Sequence, residues 1–427
     1  MTARTAAAPA TSRAENVQRV KTPGGLEAWL VENYAVPLVA MEFAVRGGAA
    51  QDPVGKPGLA TMLAGLLDEG AGPHDAKEFH RAIDDLAIHL GFGADRDSIS
   101  GHLQTLSRNT DAAFDLLRLA VAEARLESDA IERVRGQIVA ELRREANDPE
   151  WMVARAFREA AFPGHPYGRP VRGEMATIDA LQRDDLVAMR DRVFARKDLK
   201  IAVVGAIDAA TLATRLDETF GAWKAENDLT PVAATTIANV GQRKVVPLDI
   251  PQSAMRFGRP GLSKTDPDYF AAVVVNHILG GGTFTARLFR EVREKRGLAY
   301  SVYSQLNEYD RCPMLLGGNS TKNERAGESL RVIEEQFREL GETGPTADEL
   351  DKAQKYLIGS YALRFDTSTK IAGQLVNLQL DGFDPNYLDE RNAKIAAVTL
   401  EDAKLAAKRL LGDGSLLVAV AGKPEGL

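Results

Sequence analysis

Leu288-Phe289-Arg290-Glu291-Val292-Arg293-Glu294-Lys295-Arg296-Gly297-Leu298-Ala299-Tyr300-Ser301-Val302-Tyr303-Ser304 carries two periodicities in succession. Leu288 and Val292, four apart among charged neighbours, predict a helix over 285–296 that Gly297 stops. The six residues 298–303 have strand propensity. Arg293 therefore falls in the last helical turn and Tyr300 in the strand after it. Two donors converging from different elements can hold an oxygen on which negative charge develops. Taken alone, the pair reads more plainly as a surface charge and a half-buried aromatic; Arg290 and Arg296 read as solvated helix charges.

Upstream, the glycines of Leu279-Gly280-Gly281-Gly282-Thr283 end a helix instead of opening one, and no Gly-Lys-Ser/Thr follows. This excludes a nucleotide cradle and predicts a helix stop with left-handed backbone or close approach.

The chain is duplicated. Asp185 leads through a helix to Asp198-Leu199-Lys200-Ile201-Ala202-Val203-Val204-Gly205, and Asp402 leads likewise to Ser415-Leu416-Leu417-Val418-Ala419-Val420-Ala421-Gly422. Both anchor pairs, Asp185 with Asp402 and Gly205 with Gly422, are offset by 217. Each copy is a helix followed by a short, almost wholly apolar strand, to be buried on both faces or packed under helices. Strands over 38–46 and 253–259 alternate with helices over 111–123 and 328–338, so each half reads as α+β. We expect a flexible tail at 1–20, one domain at 21–223, a proline-containing linker at 224–244 and a second domain at 245–427.

Length and composition agree with two domains: 427 residues exceed one ordinary core. A net charge of −7 with interspersed signs argues against nucleic acid or a polybasic membrane contact. The single Cys312 excludes an internal disulfide and a cysteine-based metal site. No apolar run approaches the ~18 residues of a span, so a soluble protein is expected. Residues 1–14 are small and free of acids without an apolar stretch; a periplasmic location follows if a signal peptide has been removed, otherwise a cytoplasmic one.

Leu59, Met62, Leu63, Leu66 and Leu67 form the core stripe of another helix, leaving Thr61, Ala64, Gly65 and Asp68 on its other face. A later helical run holds Glu141, 76 residues beyond Gly65. The six histidines are scattered and none forms an i, i+4 pair.

The run 288–304, together with Asn276-His277-Ile278-Leu279-Gly280-Gly281-Gly282 before it, resembles the Arg/Tyr segment of the pitrilysin-type (insulinase-like) zinc peptidases. His165, in Phe162-Pro163-Gly164-His165-Pro166-Tyr167-Gly168, matches a turn motif of that family and is expected to fix a loop. The resemblance implies an inverted zinc motif, H-x-x-E-H, at 61–65. Thr61, Ala64 and Gly65 stand where its first His, Glu and second His would be, and Glu141 where the third ligand would be. One carboxylate cannot hold a catalytic zinc. The resemblance thus implies a clam-like half-chamber of two homologous domains that binds no cofactor itself. It would pair, as a heterodimer, with a zinc-binding homologous subunit and supply Arg293 and Tyr300 to bind peptide or unfolded-protein substrate. A non-enzymatic scaffold and a stand-alone peptide-binding or chaperone protein are the alternatives.

Overall fold

A computed structural model describes residues 14–427. Six strands build the first sheet: β1 (Gln18–Lys21), β2 (Glu27–Glu32), β3 (Leu38–Arg46), β4 (His89–Ala94), β5 (Ser98–Leu106) and β6 (Lys200–Gly205), in spatial order β1-β2-β6-β3-β5-β4. Five build the second: β7 (Arg243–Pro247), β8 (Gln252–Pro260), β9 (Ala299–Tyr309), β10 (Cys312–Lys322) and β11 (Leu417–Gly422), in order β7-β11-β8-β10-β9. With β1 set aside the two orders are identical. In each sheet one pair is parallel, β2 with β6 and β7 with β11, and the other pairs are antiparallel.

The glycines that anchor the repeat close equivalent strands. Gly205 (φ 147°) and Gly422 (φ 144°) both lie in the left-handed region. A Cβ on Gly205 would stand 2.1 Å from the Leu38 carbonyl oxygen, and one on Gly422 would stand 2.7 Å from Ser253 Oγ. Each glycine thus lets the last residue of an inner strand pass under the start of its neighbour.

Two boundaries differ from expectation. β1 begins at Gln18, inside the segment expected as tail, because a turn at 22–25 folds it back on β2 and buries Val20; residues 1–13 lie outside the described residues. The linker ends at Gln242, since Arg243 and Lys244 already pair with β11.

Alternation along β3 decides what covers each sheet face. Val39, Met41, Phe43 and Val45 join the large core under helix Thr110–Ala122 with Phe114 and Leu117. The opposite face, with Trp29, Ala44, Ala202 and Val204, is covered by Ala372, Leu375 and Val376 of helix Ser368–Leu380, which belongs to the other half of the chain. The exchange is reciprocal: helix Pro149–Ala161 lays Val153, Ala156 and Phe157 on Ala254, Leu316, Leu417 and Ala419 of the second sheet. Small side chains on the receiving strands permit the approach. At Gly258 a Cβ would lie 2.9 Å from the Phe157 ring. Every residue of β11 and all of β6 but Lys200 are buried, as strands covered on both faces must be.

The β9–β10 turn fastens the halves again. Tyr167 Oη donates to Asp97 Oδ1 (2.6 Å), the Asp310 N–H donates to Asp97 Oδ2 (3.0 Å), and the Arg311 N–H donates to Tyr167 Oη (3.1 Å). His165 Nδ1 accepts the Tyr167 N–H (3.1 Å), which leaves Nε2–H to donate to the Ala233 carbonyl (3.0 Å). Its role is to tie a loop to the linker. Among the described residues no helix is long and apolar enough to cross a membrane.

Candidate functional site

The helix that would carry a metal motif runs over Leu59–Ala64 and stops a turn earlier than its apolar stripe suggests. Asp52 opens it, accepting the N–H groups of Gly58 (2.7 Å) and Ala60 (2.9 Å). Burial pushes this carboxyl up to about 7 despite those bonds. Thr61 Oγ1 is committed to the Val171 carbonyl (2.8 Å), Ala64 is buried, and Gly65 caps the helix. A Cβ at Gly65 would meet nothing nearer than Val134 Cγ1 at 3.4 Å, so packing does not demand glycine there.

Glu141 sits on helix Ser128–Glu145 with its carboxylate 3.7 Å from Arg172 Nη1. The same guanidinium bonds Glu145, whose side chain is almost wholly buried, and lies 5.6 Å from the centre of the Trp151 ring. A cationic side chain therefore already serves the carboxylates of this region. Zinc does not fit: Thr61 is a poor ligand, Ala64 and Gly65 offer none, and among the described residues no group of three or more His, Cys, Asp or Glu could hold a metal. Arg172 and Trp151 escaped the sequence reading, because nothing in either segment marks them as neighbours of Thr61.

The second candidate lies in the other half. Residues 289–294 form wide i to i+5 helical turns, closed by Lys295 N–H to the Arg290 carbonyl (2.9 Å). Gly297 (φ 58°) takes the left-handed conformation that releases the chain into β9. Arg293 is in the last turn and Tyr300 is the second residue of β9. The guanidinium carbon of Arg293 lies 4.7 Å from the ring centres of both Phe289 and Tyr300. It makes no ion pair or side-chain hydrogen bond among the described residues, and Tyr300 is 83% exposed. β9 is an edge strand, so one row of its backbone groups has no strand partner.

Two neighbouring expectations need refining. Arg296 is exposed as expected but is not free: its Nη1 bonds both the carboxylate (2.7 Å) and the carbonyl (2.9 Å) of Glu291. The glycines at 280–282 are not left-handed; a Cβ on Gly280 would stand 2.5 Å from Ser304 N, so close approach of β9 is what they permit. His277 beside them is buried and stacked on Tyr356 (4.9 Å), and its burial lowers its pKa.

A cleft of about 850 Å³ runs between the halves, lined by Thr61, Trp151 and Arg172 on one side and by Glu308, Arg364 and Arg391 on the other. Arg293 and Tyr300 do not line it. The degenerate helix and the Arg/Tyr pair are thus separate places on the molecule.

Comparison with known proteins follows this geometry. The family model described as insulinase (peptidase family M16) matches residues 30–174, and that described as the peptidase M16 inactive domain matches 180–357. An uncharacterized zinc protease of Streptomyces coelicolor is 26% identical over 402 residues, covering 93% of this chain and 87% of the relative. A non-peptidase homolog of Helicobacter pylori is 26% identical over 375 residues, covering 87% and 86%. The crystal structure of a peptidase M16 inactive domain from Pseudomonas fluorescens superposes with a TM-score of 0.89 at 25% identity, over 96% of this chain and 98% of that one. Duplicated α+β halves of this kind define the two-domain peptidase fold of the insulinase class. The chain belongs to peptidase family M16. Its place is among the non-catalytic members, given the residues at 61, 64 and 65 and the relatives described as inactive or non-peptidase.

Proposed function

We propose that this chain is the non-zinc-binding subunit of a heterodimeric metallopeptidase, and that Arg293 and Tyr300 act on peptide substrate in the active site of a zinc-binding homologous partner. The observation that carries the reading is the state of Arg293. Among the described residues its guanidinium is held against two rings with no acid to neutralise it, so its N–H donors are available, and an exposed phenol stands beside it. An arginine kept only for stability would be expected to find a carboxylate or a backbone carbonyl, as Arg296 does three residues on. The open edge of β9 fits an extended peptide, whose carbonyl would meet the two donors. The two halves, taken as 21–223 and 245–427 about the linker, would form one wall of the chamber and the partner the other.

Co-expression with a zinc-bearing homologue, followed by size-exclusion chromatography and a peptide hydrolysis assay, tests this. Arg293→Ala and Tyr300→Phe should each lower kcat on the order of 10²-fold with assembly and zinc content unchanged. Arg290→Ala is the matched control, because Arg290 is exposed and Arg296 is engaged. Unchanged hydrolysis in both variants would move the protein to a scaffold role; peptide binding without any assembly would leave a stand-alone binding protein.

A further inference from the structure

Helix Tyr387–Ala397 buries Leu388, Arg391 and Ile395 along one stripe, so an arginine occupies a position where the periodicity calls for an apolar residue. Arg391 is 8% exposed. Its guanidinium lies 4.2 Å from the centre of the Tyr361 ring, and Nη1 donates to the Leu357 carbonyl (3.2 Å) and Asn392 Oδ1 (3.0 Å). Nε and Nη2 make no hydrogen bond among the described residues, yet they are not among the side-chain atoms sealed from solvent without a partner. Arg391 lines the cleft between the halves, so these unbonded donors belong to its wall.

A buried cation is normally matched by an acid. Arg287, buried to a similar degree, shows the usual solution, with Nε and Nη2 each 2.8 Å from an oxygen of Glu349. Among the described residues no carboxylate does this for Arg391. Burial lowers its pKa, and the groups that act on it most are Tyr361, Arg364, Tyr387 and Tyr269, three tyrosines and a second cation; the acids Glu308 and Asp381 line the same cleft without bonding it. Residues 1–13 contain no acid that could supply the charge. Arg364 is exposed in the same cleft and has no ion pair among the described residues. Burial pushes the Tyr387 hydroxyl up to about 12 and raises that of Tyr269, so both remain neutral donors at the cleft wall.

We infer that this end of the cleft is a carboxylate-binding subsite, in which Arg391 and Arg364 receive the anionic group of a peptide. The planar fork of a guanidinium matches the two oxygens of a carboxylate, and the half-enclosed setting strengthens the bond. A C-terminal carboxylate and an Asp or Glu side chain share this chemistry. The inference deepens the peptide-binding reading, but it concerns a different place on the chain from Arg293 and Tyr300.

The test uses the full chain and N-acetylglycine as the probe, with N-acetylglycinamide as its uncharged counterpart, in titration calorimetry or ligand-observed NMR. We expect saturable binding of the acid and none of the amide. Arg391→Gln and Arg364→Gln should each weaken it roughly tenfold to a hundredfold, while Arg290→Ala, at an exposed residue outside both places, leaves it unchanged. Two longer peptides then separate the sources. One has a free C-terminus and no acidic side chain; the other is C-amidated with a single Glu. No saturable binding of N-acetylglycine, equal binding of the amide, or undiminished binding by the arginine variants overturns the subsite. Circular dichroism checks folding of the Arg391 variant; should it fail, the exposed Arg364 decides alone. Because the small probe requires neither a partner nor hydrolysis, its result is independent of the fate of the heterodimer reading.

Discussion

Leu330→Ala tests whether the exchanged helices make one folding unit of the two halves. Leu330 is fully buried in the core of the second half with Ile333 and Phe337, remote from both exchanged helices in the packing. Truncating a leucine at such a site removes its burial and leaves a cavity, together about 3 kcal/mol. The three tryptophans, Trp29, Trp151 and Trp223, all lie before residue 224, so selectively excited tryptophan fluorescence has no reporter within the second half's own core and sees that half only through the exchanged helices. Trp29 lies under the visiting helix and Trp151 rides on the departing one. If the halves unfold together, the fluorescence transition of Leu330→Ala in urea should lose the full ~3 kcal/mol and coincide with the far-UV circular dichroism transition. Leu375→Ala, at the contact with Trp29, should cost a similar amount and also shift both probes. A fluorescence transition that stays at the wild-type midpoint in Leu330→Ala, while circular dichroism splits in two, would falsify the single-unit view.

Three further outcomes are expected. Burial pushes the Glu42 carboxyl up to about 7, so the fold is favoured at low pH and loses stability as pH rises through 7. Full burial would make this about 3 kcal/mol, and screening of a half-buried group leaves about 1 kcal/mol. Glu42→Gln should therefore flatten the stability profile between pH 5 and 8 in thermal melts, and a profile as steep as wild type removes Glu42 as its source. Burial alone would raise Glu349, but the Arg287 bonds outweigh it and hold the carboxyl near 2; its contribution is present above about pH 4.5 and lost as pH falls toward 2. Glu349→Gln should cost about 3 kcal/mol at pH 7 and about 1 kcal/mol at pH 3, by denaturant titration. Elemental analysis of the isolated chain should find no stoichiometric zinc; one tightly held, chelator-sensitive zinc per chain would contradict the account of residues 61, 64 and 65.

Five of the eleven described strands, β3, β6, β8, β9 and β11, and the duplication were legible because they rest on local rules. Alternation marks β3, and the apolar runs ending at Gly205 and Gly422 mark strands buried on both faces. The short β1 was not legible, since Gln18-Arg19-Val20-Lys21 has one apolar residue and becomes a strand only by pairing with β2. Which sheet a helix covers is likewise absent from its own stripe: helix Ser368–Leu380 reads as amphipathic whether it packs on its own half or on the other. For the candidate site, the spacing of Arg293 and Tyr300 is visible in the sequence, whereas the ring stacking and the missing counter-charge are tertiary facts. The signal at Arg391 was present as a charge on an apolar stripe, but its meaning depends on acids that could have come from anywhere in the chain.

The exchanged helices also change what the linker is for. Each half lends the other the cover for one sheet face, so a chain cut anywhere in 225–242 would yield two fragments that each display an uncovered apolar sheet and a helix with nowhere of its own to dock. Their mutual affinity is already written into those faces. Such a cut would convert a covalent molecule into a tight complex of two fragments, and the tether's contribution would be chiefly the local concentration at which they meet.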